Sequence, residues 1–236
     1  HSYKVTCIHP GGKWQSPPYA FRTLDPKTRS VRFAVFNDLH DRDATLKALM
    51  RFVKPEDYEF SILLGDCWAD PSAASGAKKV FETLNAFLPL LDAANKPFYL
   101  IRGNHEVRGS FQDRLALLFD LPNLDPAKGV AEQNWHFAHR IGPAWLLALD
   151  GGEDFTKRYE LFQPMRRRQA DWMRKLFADK APGSAPWRLL LTHMPLHNNN
   201  IWNSEPCRQM WEPVLTNAAI DLAIYGHDHG WKSIDR

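Results

Sequence analysis

Seven side chains of metal-binding types follow short apolar runs in this chain of 236 residues. They occur, in order, in the motifs Asp38-x-His40, Gly65-Asp66, Gly103-Asn104-His105-Glu106, a single His193, and Gly226-His227-x-His229. Each motif by itself has an ordinary structural explanation, as a helix N-cap, a turn residue or a packed histidine. Five such motifs, each directly after a strand-like run, favour one shared site over five separate coincidences.

The seven candidate ligands predict a site for two metal ions rather than one. Two carboxylates, one amide oxygen and four imidazoles, without a thiolate, form a mixed nitrogen and oxygen set that suits Mn, Fe or Zn. Seven ligands exceed the needs of one ion, and paired ions about 3.5–4 Å apart share an oxygen ligand. Asp66 is the candidate for that shared carboxylate. The predicted cofactors are therefore two divalent or mixed-valence transition metal ions.

The elements that must position these motifs are predicted to be strands that alternate with helices. Continuous apolar runs separated by helical patterns indicate an α/β sheet covered on both faces. Ligands of such sheets bind at the carboxyl ends of the strands, so the five motifs are expected to meet at one edge. The predicted strands are 32–36, 59–64, 97–101, 135–139, 144–149, 187–192 and 220–225, of which 135–139 and 144–149 are adjacent and antiparallel. The predicted helices are 43–53, 73–94, 111–119 and 164–179.

Residues 1–30 differ from the rest of the chain and predict a β hairpin. Two alternating stretches, 3–8 and 19–23, flank a turn rich in glycine and proline. Because an isolated hairpin is only marginally stable, it either packs on the main domain or forms the end of a preceding β domain. Residues 31–236 are then the main domain, and the seven residues after His229 predict that its C-terminal part is truncated.

Composition and charge argue against several kinds of partner. Lysine and arginine total 30 against 27 for aspartate and glutamate, and this net charge of +3 does not favour nucleic acid or membrane partners. No apolar run approaches the ~18 residues of a membrane helix. The three cysteines form no C-x-x-C pair, so neither a disulfide framework nor a thiolate zinc site is indicated.

In order and residue type, the five motifs resemble those of the calcineurin-like metallophosphoesterase superfamily. The likeness covers about residues 32–229 and implies a four-layer α/β/β/α sandwich. It implies one metal at Asp38, His40, Asp66 and His229, and a second at Asp66, Asn104, His193 and His227. The segments 103–109 and 150–153 and the hairpin are most similar to bacterial phosphoesterases related to purple acid phosphatases. Those proteins often carry an N-terminal Ig-like domain, of which the hairpin would be the remnant.

Two positions depart from the purple acid phosphatase pattern. Those enzymes have glycine where this chain has His40, and a metal-bound tyrosine where it has Ala69. Because the tyrosinate ligand is replaced, the purple charge-transfer colour is not expected. The same replacement counts against an obligatory Fe(III) chemistry.

The resemblance implies a dinuclear metal-dependent phosphoesterase that acts on a small phosphomonoester or phosphodiester. A hydroxide bridging the two metals would attack phosphorus, and His105 would protonate the leaving alkoxide. Either Asp70 or Glu106 would orient the His105 ring. Arg108 either binds the substrate phosphate through its guanidinium or pairs with a surface carboxylate.

Two other functions fit the same motifs. The superfamily contains DNA-repair nucleases, which would show a basic groove, and the small net charge gives little support for one. A scaffold that keeps the fold without the chemistry would have lost ligands, whereas all seven and His105 are present here. The family resemblance also favours a periplasmic or secreted location.

Overall fold

The computed structural model describes the chain except residues 26, 72–76, 122, 155–157, 180–181, 198–200, 231–232 and 234–236. Its N-terminal region contains four short strands, β1 (Ser2–Tyr3), β2 (Thr6–His9), β3 (Gly12–Gln15) and β4 (Tyr19–Ala20). β2 and β3 form a tight antiparallel hairpin, and β1 pairs with β4. The predicted N-terminal hairpin strands are present, but residues 6–9 pair with β3, which was not predicted, and only β1 pairs with the stretch that begins at residue 19. The Tyr3 hydroxyl donates a 2.6 Å hydrogen bond to the Ala94 carbonyl, which attaches this region to the main domain.

The first main sheet contains three parallel strands. Its elements are β5 (Phe33–Phe36), helix α1 (Asp43–Leu49), β6 (Phe60–Leu64), helix α2 (Ala77–Leu90) and β7 (Phe98–Ile101). Two 3-10 helices, Pro55–Asp57 and Gln112–Leu118, precede β6 and follow β7. β6 is central, because Ile62 is in register with both Val35 and Tyr99. Every residue of β6 is buried, as a nearly continuous apolar run predicts.

The second sheet follows in the chain and contains four strands. Its elements are β8 (Phe137–Ile141), β9 (Ala144–Leu149), a 3-10 helix (Tyr159–Phe162), helix α3 (Gln163–Ala178), β10 (Trp187–Thr192), helix α4 (Ile201–Leu215) and β11 (Leu222–Ile224). The strand order is β11-β10-β9-β8. β8 is antiparallel to β9, which confirms the predicted pair, and the other pairs are parallel.

Alternation of side chains along the strands produces four layers. On β6, Phe60, Ile62 and Leu64 pack against the second sheet, whereas Leu63 faces the core beneath α1 and α2. Alternate residues of β9 likewise divide between the first sheet and helices α3 and α4. The predicted α/β/β/α sandwich is therefore confirmed.

Helix α4 is the main element that the sequence did not predict. Pro206 and Pro213 lie within it, and each removes one backbone N–H donor from the helix. Cys207 and Trp211, one helical turn apart, are fully buried in the core beneath the second sheet. Tertiary packing thus stabilises a helix that local propensity disfavours.

The remaining helices agree with prediction apart from their ends and type. α1 ends at Leu49 rather than near residue 53, and the segment predicted as a helix at 111–119 forms a 3-10 helix. Residues 73–76, the start of the predicted helix 73–94, lie outside the described part of the chain. None of the described helices combines the length and the apolar character needed to cross a bilayer.

A buried ion pair joins the two sheets at the edge where the candidate ligands lie. Arg102 directly follows β7, and Asp150 directly follows β9. Nε and Nη2 of Arg102 donate to Oδ2 of Asp150 at 2.9 and 2.5 Å, and both side chains are almost completely buried. Because a buried charge is tolerated only when it is paired, this contact holds the two strand ends together.

Candidate metal centre

The loops that carry the candidate ligands leave the strands in an uncommon backbone conformation. Five of the seven candidate ligands have positive φ angles: Asp38 (53°), His40 (46°), Asp66 (52°), His227 (75°) and His229 (49°). The left-handed region costs a non-glycine residue about 1–2 kcal/mol, although aspartate and histidine enter it more readily than most. Strained backbone of this kind is concentrated at functional sites. The angles therefore support a site at these strand ends.

Two glycines let these loops approach one another closely. A Cβ atom on Gly65, where φ is +80°, would collide with the ring of His193. A Cβ atom on Gly103 would collide with the side chain of Asp66. Glycine is therefore required at both positions, because the side chains of two candidate ligands pack directly against the backbone there.

The first group of ligand atoms comes mainly from the loops after β5 and β11. The Nε2 atoms of His40 and His229 lie 3.2 Å apart, and His229 Nε2 lies 3.2 Å from Asp38 Oδ1. His40 Nε2 is also 3.7 Å from Asp66 Oδ2. The ligand atoms of Asp38, His40 and His229 all lie within 4.8 Å of one another. The structure thus brings together the four residues predicted for the first metal.

The second group comes from the loops after β6, β7, β10 and β11. His193 Nε2 lies 3.2 Å from Asp66 Oδ2, and Asn104 Oδ1 lies 3.0 Å from His227 Nδ1. His193 Nδ1 donates to the Leu64 carbonyl at 2.8 Å, which directs Nε2 of the same ring towards Asp66. The four residues predicted for the second metal are thus also close together. Asp66 is common to both groups, as a bridging carboxylate would be.

Two buried polar atoms of this centre suit a role as metal ligands. Among the described residues, Asp38 Oδ1 and His193 Nε2 are buried polar atoms that make no hydrogen bond, although Asp66 is close to the latter. A buried unsatisfied group costs about 1–3 kcal/mol. A cation would remove that cost, and imidazoles, carboxylates and an amide together suit Mn, Fe or Zn. The residues present therefore fit the two ions that the family resemblance implies.

The electrostatics of the centre also favour positive charge. Burial raises the pKa of Asp66, but His193 and the backbone N–H of His105 outweigh this effect and lower the pKa to about 2. Burial lowers the pKa of His193, but the carboxylates of Asp66 and Asp38 raise it to about 9. The buried negative charge of Asp66 therefore favours a cation beside it, and a metal ion bound there would need the neutral form of His193.

Glu106, the last residue of the third motif, is completely buried and accepts hydrogen bonds from backbone. Its carboxylate accepts the N–H groups of Gly103 at 2.7 Å, Asp66 at 2.8 Å and Cys67 at 2.7 Å. These bonds join the loop after β6 to the loop after β7. Because both oxygens are used in this way, Glu106 is not the residue that orients His105.

The geometry favours the other candidate, Asp70, as the partner of His105. Asp70 Oδ1 lies 3.1 Å from His105 Nδ1, and the Ala69 carbonyl also contacts Nδ1. The ring lies beside both groups of candidate ligands. One of its nitrogens is within 4.8 Å of a ring nitrogen of His40 and a carboxylate oxygen of Asp66. About a quarter of the His105 side chain is exposed, so a substrate could reach it.

Arg108 is held by two carboxylates that sequence reasoning did not assign to the site. Its Nη2 atom donates to Glu153 Oε1 at 2.6 Å and to Asp154 Oδ1 at 2.7 Å. Its Nη1 atom lies 3.2 Å from His105 Nε2. Pairing with carboxylates, one of the two alternatives, is thus observed, but Glu153 is buried and the pair lies at the candidate site. The segment 150–154 follows an apolar strand just as the five motifs do, and that signal would have identified it.

Comparisons of sequence find a family and several relatives. The family model described as calcineurin-like phosphoesterase matches residues 31–231. Purple acid phosphatase 22 of Arabidopsis thaliana is 24% identical over 226 residues, which are 93% of this chain and 49% of that protein. The probable purple acid phosphatase 20 of the same plant is 23% identical over 239 residues, which are 96% and 51% of the two chains. The chain therefore spans about half the length of these relatives.

Comparisons of structure find the same fold at low sequence identity. A dimetal phosphatase from Danio rerio superposes with a TM-score of 0.60 at 16% identity, over 84% of this chain and 81% of that one. GAP50, the anchor in the inner membrane complex of Plasmodium, superposes with a TM-score of 0.53 at 15% identity, over 84% and 66% of the two chains. At these identities the likeness concerns the fold alone.

Replacing Glu106 by glutamine tests the connection between the two loops. Burial and the charge of Asp66 raise the pKa of Glu106 to about 7, so the measurement belongs at pH 8.5, where the carboxylate is ionised. Glutamine loses one acceptor oxygen and turns an amide group towards a backbone donor. We expect the free energy of unfolding to fall by about 2–4 kcal/mol. Urea denaturation in excess chelator, which removes any contribution from bound metal, measures this difference.

The matched control is Glu132→Gln, because Glu132 is an exposed glutamate of the same chain. That substitution should change the free energy of unfolding by no more than about 0.5 kcal/mol. If the Glu106→Gln protein were as stable as this control, the carboxylate would not be what joins the two loops.

Proposed function

The chain belongs to the calcineurin-like phosphoesterase family, and from that premise we propose that it is a dinuclear metal-dependent hydrolase of small phosphomonoesters or phosphodiesters. The observation that carries the proposal is the convergence of seven nitrogen and oxygen ligands on one centre, with two buried ligand atoms left without hydrogen bonds. A scaffold without chemistry has no need of either feature.

The proposed metals are two ions among Mn, Fe and Zn. We assign Asp38, His40, Asp66 and His229 to one ion, and Asp66, Asn104, His193 and His227 to the other. When bound, such ions supply positive charge that polarises a phosphate ester and makes water more acidic. The four imidazoles and Asn104 add no negative charge, so the ligand set itself leaves the two ions with a net attraction for an anionic substrate.

His105 is proposed as the general acid. Asp70 and the Ala69 carbonyl both accept from Nδ1, which therefore carries a hydrogen, and the two contacts hold the ring in one orientation. The other nitrogen, Nε2, lies 3.9 Å from Asp66 Oδ2, on the side of the ring that faces the centre. Arg108 Nη1 lies 3.2 Å from Nε2, and because a guanidinium can only donate, Nε2 accepts this hydrogen bond in the structure. When Nη1 turns to a substrate phosphate, Nε2 becomes free to carry the proton that passes to the leaving oxygen.

Arg108 is proposed to bind the substrate phosphate. Its Nη1 atom and His105 Nε2 are 3.2 Å apart, so both lie within reach of neighbouring oxygens of one ester. Guanidinium N–H groups form strong charge-assisted hydrogen bonds with phosphate oxygens. This contact would orient the ester with its leaving group towards His105.

A periplasmic or secreted location completes the proposal, and the resemblance to proteins related to purple acid phosphatases is its support. Fractionation of the source cells with an antibody against the chain checks it. Recovery of the native protein from the cytoplasmic fraction alone would contradict an exported location.

Hydrolysis of p-nitrophenyl phosphate and of bis-p-nitrophenyl phosphate tests the proposed function directly. We expect turnover by the purified protein supplied with Mn, Fe or Zn, loss of turnover in excess chelator, and recovery when metal is added back. The ratio of the two rates measures the preference for monoesters or diesters.

The matched control for this assay is His193→Ala, purified in the same way. Loss of a buried ligand should abolish most of the turnover, whereas a contaminating phosphatase would be unaffected. Equal rates for the wild-type and His193→Ala proteins would contradict the proposal. So would a wild-type protein that remains inactive with all three metals.

Replacing His105 by alanine tests the general acid. For an alkyl phosphate, whose leaving group must be protonated, we expect kcat to fall by roughly 10²–10⁴-fold. A nitrophenyl ester departs without a proton, so its kcat should fall far less. Asp70→Asn should give the same pattern with a smaller loss, because the ring remains but is held less firmly in the orientation that donates a proton. An equal loss on both esters would rule out proton donation by His105.

A further inference from the structure

A buried carboxylate outside the predicted ligand set determines the direction of the Arg108 side chain. Glu153 lies in the loop after β9, and its side chain is 2% exposed. Its two oxygens lie 3.2 and 3.1 Å from Arg108 Nε, and Oε1 also accepts Arg108 Nη2 at 2.6 Å. A two-pronged contact of this kind fixes the plane of the guanidinium as well as its position.

The contacts of Arg108 leave one edge of its guanidinium directed at the candidate active site. Glu153 and Asp154 together accept the hydrogens of Nε and Nη2. The remaining nitrogen, Nη1, lies 3.2 Å from His105 Nε2. The two carboxylates therefore bind the edge of the guanidinium formed by Nε and Nη2. Nη1 is the nitrogen that can donate to a substrate oxygen next to His105.

Glu153 is itself held in place from helix α3. Arg166, which is almost completely buried in that helix, donates from Nε to the Gly151 carbonyl at 2.9 Å and from Nη2 to the Glu153 carbonyl at 2.7 Å. Gly152 adopts a φ of +68°, and a Cβ atom there would collide with the ring of Phe162. The loop is thus a rigid support, which is the property that a group orienting another side chain requires.

We propose that Glu153 is a positioning residue, which locks Arg108 so that Nη1 binds the phosphate oxygen beside His105. The proposal rests on the function inferred above and adds the device that orients its substrate. A lysine in place of Arg108 could not satisfy it, because an ammonium group cannot be held by one edge while presenting another.

Chemical rescue of Arg108→Ala by the guanidinium ion tests this role, with inorganic phosphate as the probe. We expect the metal-loaded Arg108→Ala protein to bind phosphate roughly 10–100-fold more weakly than wild type, as measured by calorimetry. Millimolar guanidinium should restore most of that affinity, because the Glu153 carboxylate can still bind the ion where the Arg108 guanidinium was. In Arg108→Ala/Glu153→Gln this carboxylate is lost, and guanidinium should restore little.

Kinetics on p-nitrophenyl phosphate provide a second measure. Glu153→Gln should raise KM with a smaller effect on kcat. Without the Glu153 carboxylate, Arg108 is no longer held in the orientation that binds the phosphate, so the substrate binds less tightly, whereas the metals remain in place. Glu153→Asp retains the charge at a shorter reach and should fall between Glu153→Gln and wild type. The matched control is Glu160→Gln, an exposed glutamate in the following 3-10 helix, which should behave as wild type.

The outcomes separate this inference from the function on which it rests. If wild type hydrolyses esters and guanidinium rescues Arg108→Ala equally with and without Glu153, the positioning role is wrong and the proposed function stands. Unchanged phosphate affinity in Arg108→Ala would also overturn the positioning role. If wild type neither hydrolyses esters nor binds phosphate with metal supplied, the proposed function fails, and the positioning role fails with it.

Discussion

The Glu106 carboxylate is the contact on which the rest of the centre depends. By accepting the backbone N–H groups of Gly103, Asp66 and Cys67, it makes the loops after β6 and β7 a single unit. Asp66 returns the contact, since its Oδ1 accepts the backbone N–H of His105 at 3.0 Å. Asp66 Oδ2 is thereby directed at both ligand groups, and the candidate general acid keeps a fixed place beside them. A buried carboxylate with several N–H donors is a strong and specific contact, because each donor would be costly to leave unpaired.

A buried ion pair fixes the position of the second sheet relative to the joined loops after β6 and β7. Arg102 and Asp150 join the ends of β7 and β9 in a pair that burial would make unfavourable if either partner were missing. The loop that follows Asp150 then carries Glu153 to Arg108. A series of polar contacts therefore runs along this edge of the sandwich. It begins with the Arg102–Asp150 pair between the sheets, continues along the loop to the Glu153–Arg108 pair, and ends where Arg108 contacts His105. The strained backbone of the candidate ligands persists because several of these contacts together hold it in place.

Much of the fold could be predicted because its strands are buried on both faces and therefore appear as uninterrupted apolar runs. Helix α4 could not, because its prolines lower its local propensity and its stability comes from packing of residues such as Trp211. The candidate ligands were identifiable because they follow strand ends. The roles of Glu106 and Glu153 depend instead on the directions of backbone N–H groups and of a guanidinium. The spacing of residues in the sequence does not specify these directions. The choice between Asp70 and Glu106 as partner of His105 needed the same information.

The most direct test of the central claim is to locate the metals in crystals of the protein grown with manganese. Anomalous scattering measured near the manganese absorption edge should give two peaks about 3.5–4 Å apart, both in contact with Asp66. One peak should lie against Asp38, His40 and His229, and the other against Asn104, His193 and His227. A single peak, or two peaks that do not share Asp66, would contradict the dinuclear centre proposed for this chain.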